Sequence, residues 1–319
     1  MKKWVLILAL ITSFSTFASE YIPCTASESA NGTCFNCGAT CVARYSESID
    51  DDENVKGTLT ISGRGDMSFE PKYPLFTTLE GPSGSFPYNG YYQYDSDKGR
   101  WRTDAPWRDL DRSITNVVIE DGITSIAAGS FYRVTSLTNV SIPDSVTRIG
   151  NAAFQNDRKL TNAELPANLK QIGHAAFYVT SIEYFAIPEG FKKNNGSDYQ
   201  LSNNKNQLGS VALKGIVIDR DAYFDKDMLL GANLSNIESI YCEKSNINCQ
   251  SLKDDNDLKN KLIFYDKQSD GNSMLKCNGK TYQSINDLLK GNYDVHRIYT
   301  IEEANFVAGK TNTFSIRYR

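Results

Sequence analysis

Apolar residues recur along this chain with two nested periods. Between Ile114 and Pro188 the same apolar pattern returns every 23, 23 and 22 residues, in copies that begin at Ile114, Leu137, Leu160 and Ile182. Inside a copy, position four (Val117, Val140, Ala163, Phe185) and position six (Ile119, Ile142, Leu165, Ile187) are apolar. They alternate with polar neighbours, the spacing of a strand with one covered face. Pro143, Pro166 and Pro188 follow and stop that strand. Position ten (Ile123, Val146, Leu169, Phe191) and position thirteen (Ile126, Ile149, Ile172) predict a second short extended piece, and Gly150 and Gly173 mark the bend after it. Phe131, Phe154 and Phe177 at position eighteen then predict a return segment that tucks a ring inside. A self-similar period of this length predicts a repeat architecture, in which one copy cannot cover its own flanks and stacked copies share one core.

The motif LTxVxIPxSVTxIGxxAF, as it stands in residues 137–154, resembles the BspA-type leucine-rich repeats of bacterial surface proteins. The match is good over residues 56–191 and weaker to about residue 250. The resemblance implies a mainly-β leucine-rich-repeat solenoid of about 23-residue coils. It also implies an exported, non-catalytic module for recognition or adhesion, which holds a protein or glycan partner on its strand face. A structural envelope scaffold with no dedicated ligand is the alternative. At position nine, Gly122, Ser145 and Asn168 depart from the repeated Asn or Cys of ordinary leucine-rich repeats, so the backbone ladder of those repeats is not assumed.

The flanking regions break the pattern. Residues 1–18 combine Lys2 and Lys3 with an apolar run and a small-residue end, which predicts a secretory signal peptide cleaved after Ala18. No later segment is apolar enough to span a bilayer. Residues 19–55 predict a Cys-rich N-terminal cap, polar and rich in turns. Residues 56–112 open with the alternating strand of KGTLTISGRGDM, Leu59 and Ile61 inward, and continue into a Gly-, Pro- and Tyr-rich surface insertion, after which Trp107 is placed as a lid on the first layer. The repeats occupy residues 113–250, where Leu213, Ile216 and Ile218, then Ile237, Ile240 and Cys242, continue the columns after a polar loop at 192–207. Residues 251–319 predict a small α+β C-terminal cap. Its hairpin turns at Asn278-Gly279, short helices begin at Ser284 and Thr300, and a last strand runs over Thr313–Arg319.

Charge and cysteine usage narrow the function. Loss of Lys2 and Lys3 lowers the formal net charge from −4 to −6, a poor match to nucleic acid or an anionic membrane. Seven cysteines suit an oxidising compartment, and the chain is placed as secreted, periplasmic or at the cell surface. Cys24, Cys34, Cys37 and Cys41 are disulfide candidates with three possible pairings, a zinc site being the alternative. Cys242 and Cys249 are a further disulfide candidate or two buried thiols; on opposite walls near 10 Å apart they would be too distant for a bridge unless the coil pinches.

Cys277 and His296 are the sole nucleophile–base pairing to consider, against a plain core thiol. His174 reads as a surface variant. Arg64-Gly65-Asp66 spells an integrin tripeptide but sits in a structural turn. No cofactor and no metal set is read from the residues, and the chain is not expected to be an enzyme.

The candidate binding residues are the outward positions three and five of the strands: Asn116, Asn139, Ser141, Asn162, Glu164 and Tyr184. The asparagines among them fit equally an amide ladder along the sheet. Tyr88, Tyr91 and Tyr92 in the insertion are the other candidates, as exposed loop aromatics or as a layer over the first coil.

Overall fold

The computed structural model describes residues 21–67, 79–81, 84–86, 92–95, 100–194, 205–267, 275–277 and 280–282. The predicted columns become core. Ile114, Val117, Ile123, Ile126 and Phe131 of the first copy are fully buried, as are Leu137, Val146, Ile149 and Phe154 of the second and Leu160, Leu169, Ile172 and Phe177 of the third.

Position-three-to-six segments of the first three copies pair in parallel in one sheet. Its order is Cys34–Gly38, Cys41–Ile49, Val55–Gly63, Ile114–Ile119, Asn139–Ser141, Asn162–Ala163. Val117 lies opposite Val140 and Val140 opposite Ala163, so equal columns face one another. Val55–Gly63 adds to this sheet in parallel, with Leu59 beside Val117, as its alternation predicts. A second parallel sheet gathers Gly65–Asp66, Ile123–Ile126, Arg148–Ile149 and Gln171–Ile172. A third carries Tyr184–Ile187, Gly215–Ile218, Ser239–Glu243 and Leu262–Lys267 in parallel, then the antiparallel strands Leu275–Cys277 and Lys280–Tyr282 around the predicted turn. Among the described residues the architecture is mainly β, with short α-helices at Ala26–Ala30 and Ile247–Ser251 and short 3-10 turns.

The return segment is built differently from either sheet. The N–H groups of Gly129, Phe131 and Arg133 donate to the carbonyls of Asn151, Ala153 and Gln155 in the next copy at 2.9, 2.8 and 3.0 Å. Ala152, Phe154 and Asn156 repeat the bonds to His174, Ala176 and Tyr178. The residues between close tight turns inside their own copy, Ser130 to Ala127 and Tyr132 to Gly129. Half of the backbone therefore satisfies itself locally and half crosses to the neighbour, always with the N–H pointing toward the C-terminal end. This requires left-handed residues at fixed places: Gly129, Ala152 and Ala175 at φ 66, 53 and 55°, and Arg133, Asn156 and Val179 at 63, 68 and 61°.

The rings form a single file down the middle. Centroids lie 5.1 Å apart for Phe131–Phe154 and 5.2 Å for Phe154–Phe177, with planes 11° apart in both pairs. Trp107 caps the file 5.7 Å above Phe131, and its indole N–H donates to Ser130 O at 2.9 Å. Thr103 donates to Gly129 O at 2.7 Å, so the first open carbonyls of the return wall are covered. At the bend, a Cβ on Gly150 would meet Ala128 N at 2.5 Å, which is why only glycine fits there. Gly150 N donates to Ile126 O and Gly173 N to Ile149 O. The next carbonyl, Ile172 O, sits where the register breaks. Two side-chain amides, Asn194 Nδ2 and Gln207 Nε2, serve it, each at 2.7 Å.

The N-terminal segment holds more strand than its polar composition suggests. Cys41–Ile49 pairs antiparallel with Val55–Gly63 along its whole length, because Cys41, Val42 and Ala43 anchor one end in the core. Cys24–Cys34 and Cys37–Cys41 are disulfides with Cα separations of 5.6 and 5.0 Å. Cys242–Cys249 is also bridged, at 6.0 Å. Cys249 does not stand on an opposite wall. It lies in the helix Ile247–Ser251 directly after the strand, and Asn246 caps that helix through the N–H groups of Asn248 and Cys249. The expected signal peptide at 1–18, the helices from Ser284 and Thr300, and the strand Thr313–Arg319 lie outside the described residues.

Candidate functional site

Strand residues at positions three and five point away from the ring file, because side chains alternate across a pleated strand. In the first sheet they make two rows. Thr58, Asn116, Asn139 and Asn162 stand side by side, and Thr60, Val118 and Ser141 form the adjacent row. Ser141 and Asn162 are exposed; Asn116, Asn139 and Glu164 are half-buried.

The asparagines are partly consumed as structure. Asn162 Nδ2 donates to Asn139 Oδ1 at 2.6 Å, one rung of an amide ladder. Asn116 does not continue it and bonds its own neighbour Thr115 Oγ1 at 3.4 Å. A hydroxyl ladder runs beside it: Thr138 and Thr161 donate to the carbonyls of Thr115 and Thr138 at 3.0 and 3.4 Å. A third set of bonds lies near position nine, at Gly122, Ser145 and Asn168. Gly122 N donates to Ser145 Oγ at 3.2 Å, Ser145 to Ile123 O at 2.8 Å, and Asn168 Nδ2 to Asp144 O at 3.0 Å.

The two outward rows do not stay open along the chain. In the third sheet the position-five row, Ala186, Val217, Tyr241 and Ile263, is buried at 7, 0, 3 and 7% exposure. Tyr184 is half-buried with its ring over Gly215, where an added Cβ would lie 2.9 Å from it. Burial, followed by the nearby Glu238 and Glu183 carboxylates, pushes its hydroxyl up to about 12. The accessible strand face is therefore that of the first sheet. The signal was present in the sequence: GIVI, SIYC and LIFY are apolar on both alternations, the mark of a strand covered on both faces.

Other candidates fall elsewhere. Tyr88 and Tyr91 lie outside the described residues, and Tyr92 begins the strand Tyr92–Asp95, which pairs with Arg100–Thr103. Cys277 ends the strand Leu275–Cys277, and His296 lies outside the described residues. Asp66 of the Arg-Gly-Asp tripeptide is engaged within the molecule, by Arg148 at 2.6 Å and Thr124 at 2.7 Å. His174 is half-buried, with its Nδ1 2.9 Å from Lys205 O.

Buried polar residues that the sequence did not single out tie copies together. Asn246 donates to Asp219 O and Ala222 O at 2.6 and 2.9 Å. Asp157 accepts the Val134 N–H at 2.8 Å, while its Oδ2 has no partner among the described residues. Burial pushes its carboxyl well above the ordinary range. Among the described residues no group of three or more His, Cys, Asp or Glu side chains is arranged to hold a metal, and no helix is long and apolar enough to cross a membrane.

The family pattern described as BspA type Leucine rich repeat region matches residues 110–229 in six copies. No curated protein matches the chain. Similar solved structures include a leucine-rich repeat protein from Eubacterium ventriosum, 22% identical over 59% of this chain and 44% of that one, TM-score 0.33. A leucine rich cell surface protein from Faecalibacterium prausnitzii is 18% identical over 72% and 56%, TM-score 0.30. A leucine-rich repeat protein from Bacteroides ovatus is 20% identical over 63% and 54%, TM-score 0.29. This chain thus spans less than half the length of the first of these. Repeat columns, parallel ladders and the matched pattern agree: over residues 110–229 this chain carries the repeat pattern of the BspA type leucine-rich repeat region.

Proposed function

We propose that this is an exported, non-catalytic repeat protein that engages a protein partner at the cell surface through the outer face of its first sheet. The carrying observation is the contrast between sheets. The outward position-five row is open at Ser141 but buried from Ala186 to Ile263. A repeated, flat and polar array is the surface on which repeat proteins present side chains to partners. The repeat family, whose members commonly serve in protein interaction, and the disulfide-bonded N-terminal segment support the same reading.

The test is saturable binding of the oxidised mature protein to immobilised host matrix proteins and to cell surfaces. Ser141→Arg and Glu164→Lys place bulk and charge on the open rows without entering the core. Binding is expected to fall by about tenfold or more, the scale of losing one well-placed polar contact. Saturable binding that these variants leave unchanged would remove the strand-face site. No saturable binding at all would favour a scaffold without a dedicated ligand.

A further inference from the structure

We propose a second site, a saccharide-binding cleft at the N-terminal end of the first sheet. The cleft has a volume of about 570 Å³, within the size of small-ligand sites at about 300–1,000 Å³. Its floor is the outward face of the Val55–Gly63 strand, with Thr60 and Ser62 on alternate positions, Arg44 opposite Thr60, and Glu120 at the end of the neighbouring strand. Its wall is the segment that carries Ile22 and Glu28.

That wall is fixed rather than draped. Cys24–Cys34 ties it covalently. Arg44 holds it with Nε on Glu28 Oε1 at 3.1 Å and Nη2 on the carbonyls of Ile22 and Pro23 at 2.8 and 3.1 Å. Thr25 and Glu28 close a reciprocal capping box at its helix. A concave site with a held wall is pre-organised and loses little freedom on binding.

Thr33 donates to Glu28 O and Tyr45 to Glu47, but four other polar groups inside the cleft are uncommitted. At position two of the copies, hydroxyls are spent between neighbours: Thr115 donates to Gly57 O, Thr138 to Thr115 O and Thr161 to Thr138 O. In the cleft the hydroxyls of Ser46, Thr60 and Ser62 and the carboxylate of Glu120 make no hydrogen bond among the described residues. Three hydroxyls that both donate and accept, with one carboxylate acceptor, are the complement of a ring bearing several hydroxyls. Neighbouring floor residues stand about 4.8 Å apart across strands and about 6.7 Å apart along one, so a sugar ring spans them.

Charge favours a neutral sugar. Glu28 neutralises Arg44, and Glu120 leaves the cleft with a net negative charge that repels an anionic ligand. Ile22, 59% exposed on the rim, offers an apolar edge to the C–H face of such a ring. A peptide would instead call for an open strand edge or apolar anchor pockets, and the floor is a sheet face with hydroxyls on it.

The test uses the oxidised mature protein on a microarray of bacterial, host and plant glycans, followed by titration calorimetry with the best neutral oligosaccharide, and with a heparin hexasaccharide as the anionic probe. The expected result is saturation by a neutral oligosaccharide and a loss of about tenfold or more in Ser62→Ala and in Glu120→Gln, each removing one hydrogen-bonding group from a site that would otherwise be satisfied. Both substitutions lie outside the core, and an unchanged circular dichroism spectrum confirms the fold. Silence of the neutral glycans, stronger binding of heparin, or neutral binding that both variants leave intact would each overturn the proposal. Glu164→Lys is expected to leave the saccharide titration unchanged, so failure of the cleft and failure of the strand-face reading are told apart.

Discussion

Phe154 is the residue on which the stacked core can be tested most directly. It is fully buried between Phe131 and Phe177, with centroids 5.1 and 5.2 Å away, and it is the middle ring of the three repeated ones. Truncation to alanine removes buried apolar surface and leaves a cavity, about 3–5 kcal/mol for a phenylalanine. Each stacked pair carries about 0.5–1.5 kcal/mol beyond its area. A domain with about 5–15 kcal/mol of net stability loses a large part of it through that one change. The assay is equilibrium urea unfolding followed by tyrosine and tryptophan fluorescence, with the m-value checked, since a repeat array can lose cooperativity when a central layer is cut. Double-mutant cycles sharpen it. Phe131→Leu with Phe154→Leu should show coupling of about 0.5–1.5 kcal/mol, because those rings touch, while Phe131→Leu with Phe177→Leu, which meet only through Phe154, should show a smaller coupling. A Phe154→Ala cost no larger than that of the exposed Lys159→Ala, or equal coupling in both cycles, would refute a core passed ring to ring between copies.

Two further outcomes follow from buried and strained positions. Asp157 has a folded pKa raised above its ordinary value, so the native state holds the proton longer than the unfolded chain, and stability should fall as pH rises from about 3.9 through the raised value. Asp157→Asn keeps the acceptor for the Val134 N–H and should flatten this dependence, read as melting temperature against pH; parallel slopes in parent and variant would count against a neutral carboxyl in the core. Arg133 is exposed in a left-handed conformation at φ 63°, and Arg133→Gly should raise stability by about 0.5–1 kcal/mol in urea titration, against a loss if that backbone were relaxed for an L-residue.

The core was legible in the sequence because its columns are chemically uniform. Phe131, Phe154 and Phe177 announce the ring file, and Trp107 its lid. Leu59 and Ile61 mark the entering strand by simple alternation. The return wall was not legible beyond its bend. Ala152, Ala175, Arg133, Asn156 and Val179 carry no glycine signature, and their left-handed backbone is imposed by bonds to the next copy rather than by local preference. The strand Cys41–Ile49 was hidden because Ser46, Glu47 and Ser48 are polar; its pairing with Val55–Gly63 outweighs weak local propensity. For the candidate site, the outward rows followed from strand period alone. Where they remain open did not, since that depends on what lies over Val217 and Tyr241, although the doubly apolar runs carried the hint. The cleft at Thr60 and Ser62 needed three strands and a cross-linked segment to come together, which no spacing along the chain reports.

The carbonyl of Ile172 shows how such a protein tolerates being rewritten. Two amide side chains, one on each side of residues 195–204 in the sequence, stand in for the single backbone donor that a regular successor supplies. At this point in the series, Asn194 and Gln207 rejoin the hydrogen-bond pattern across the break in the repeat period.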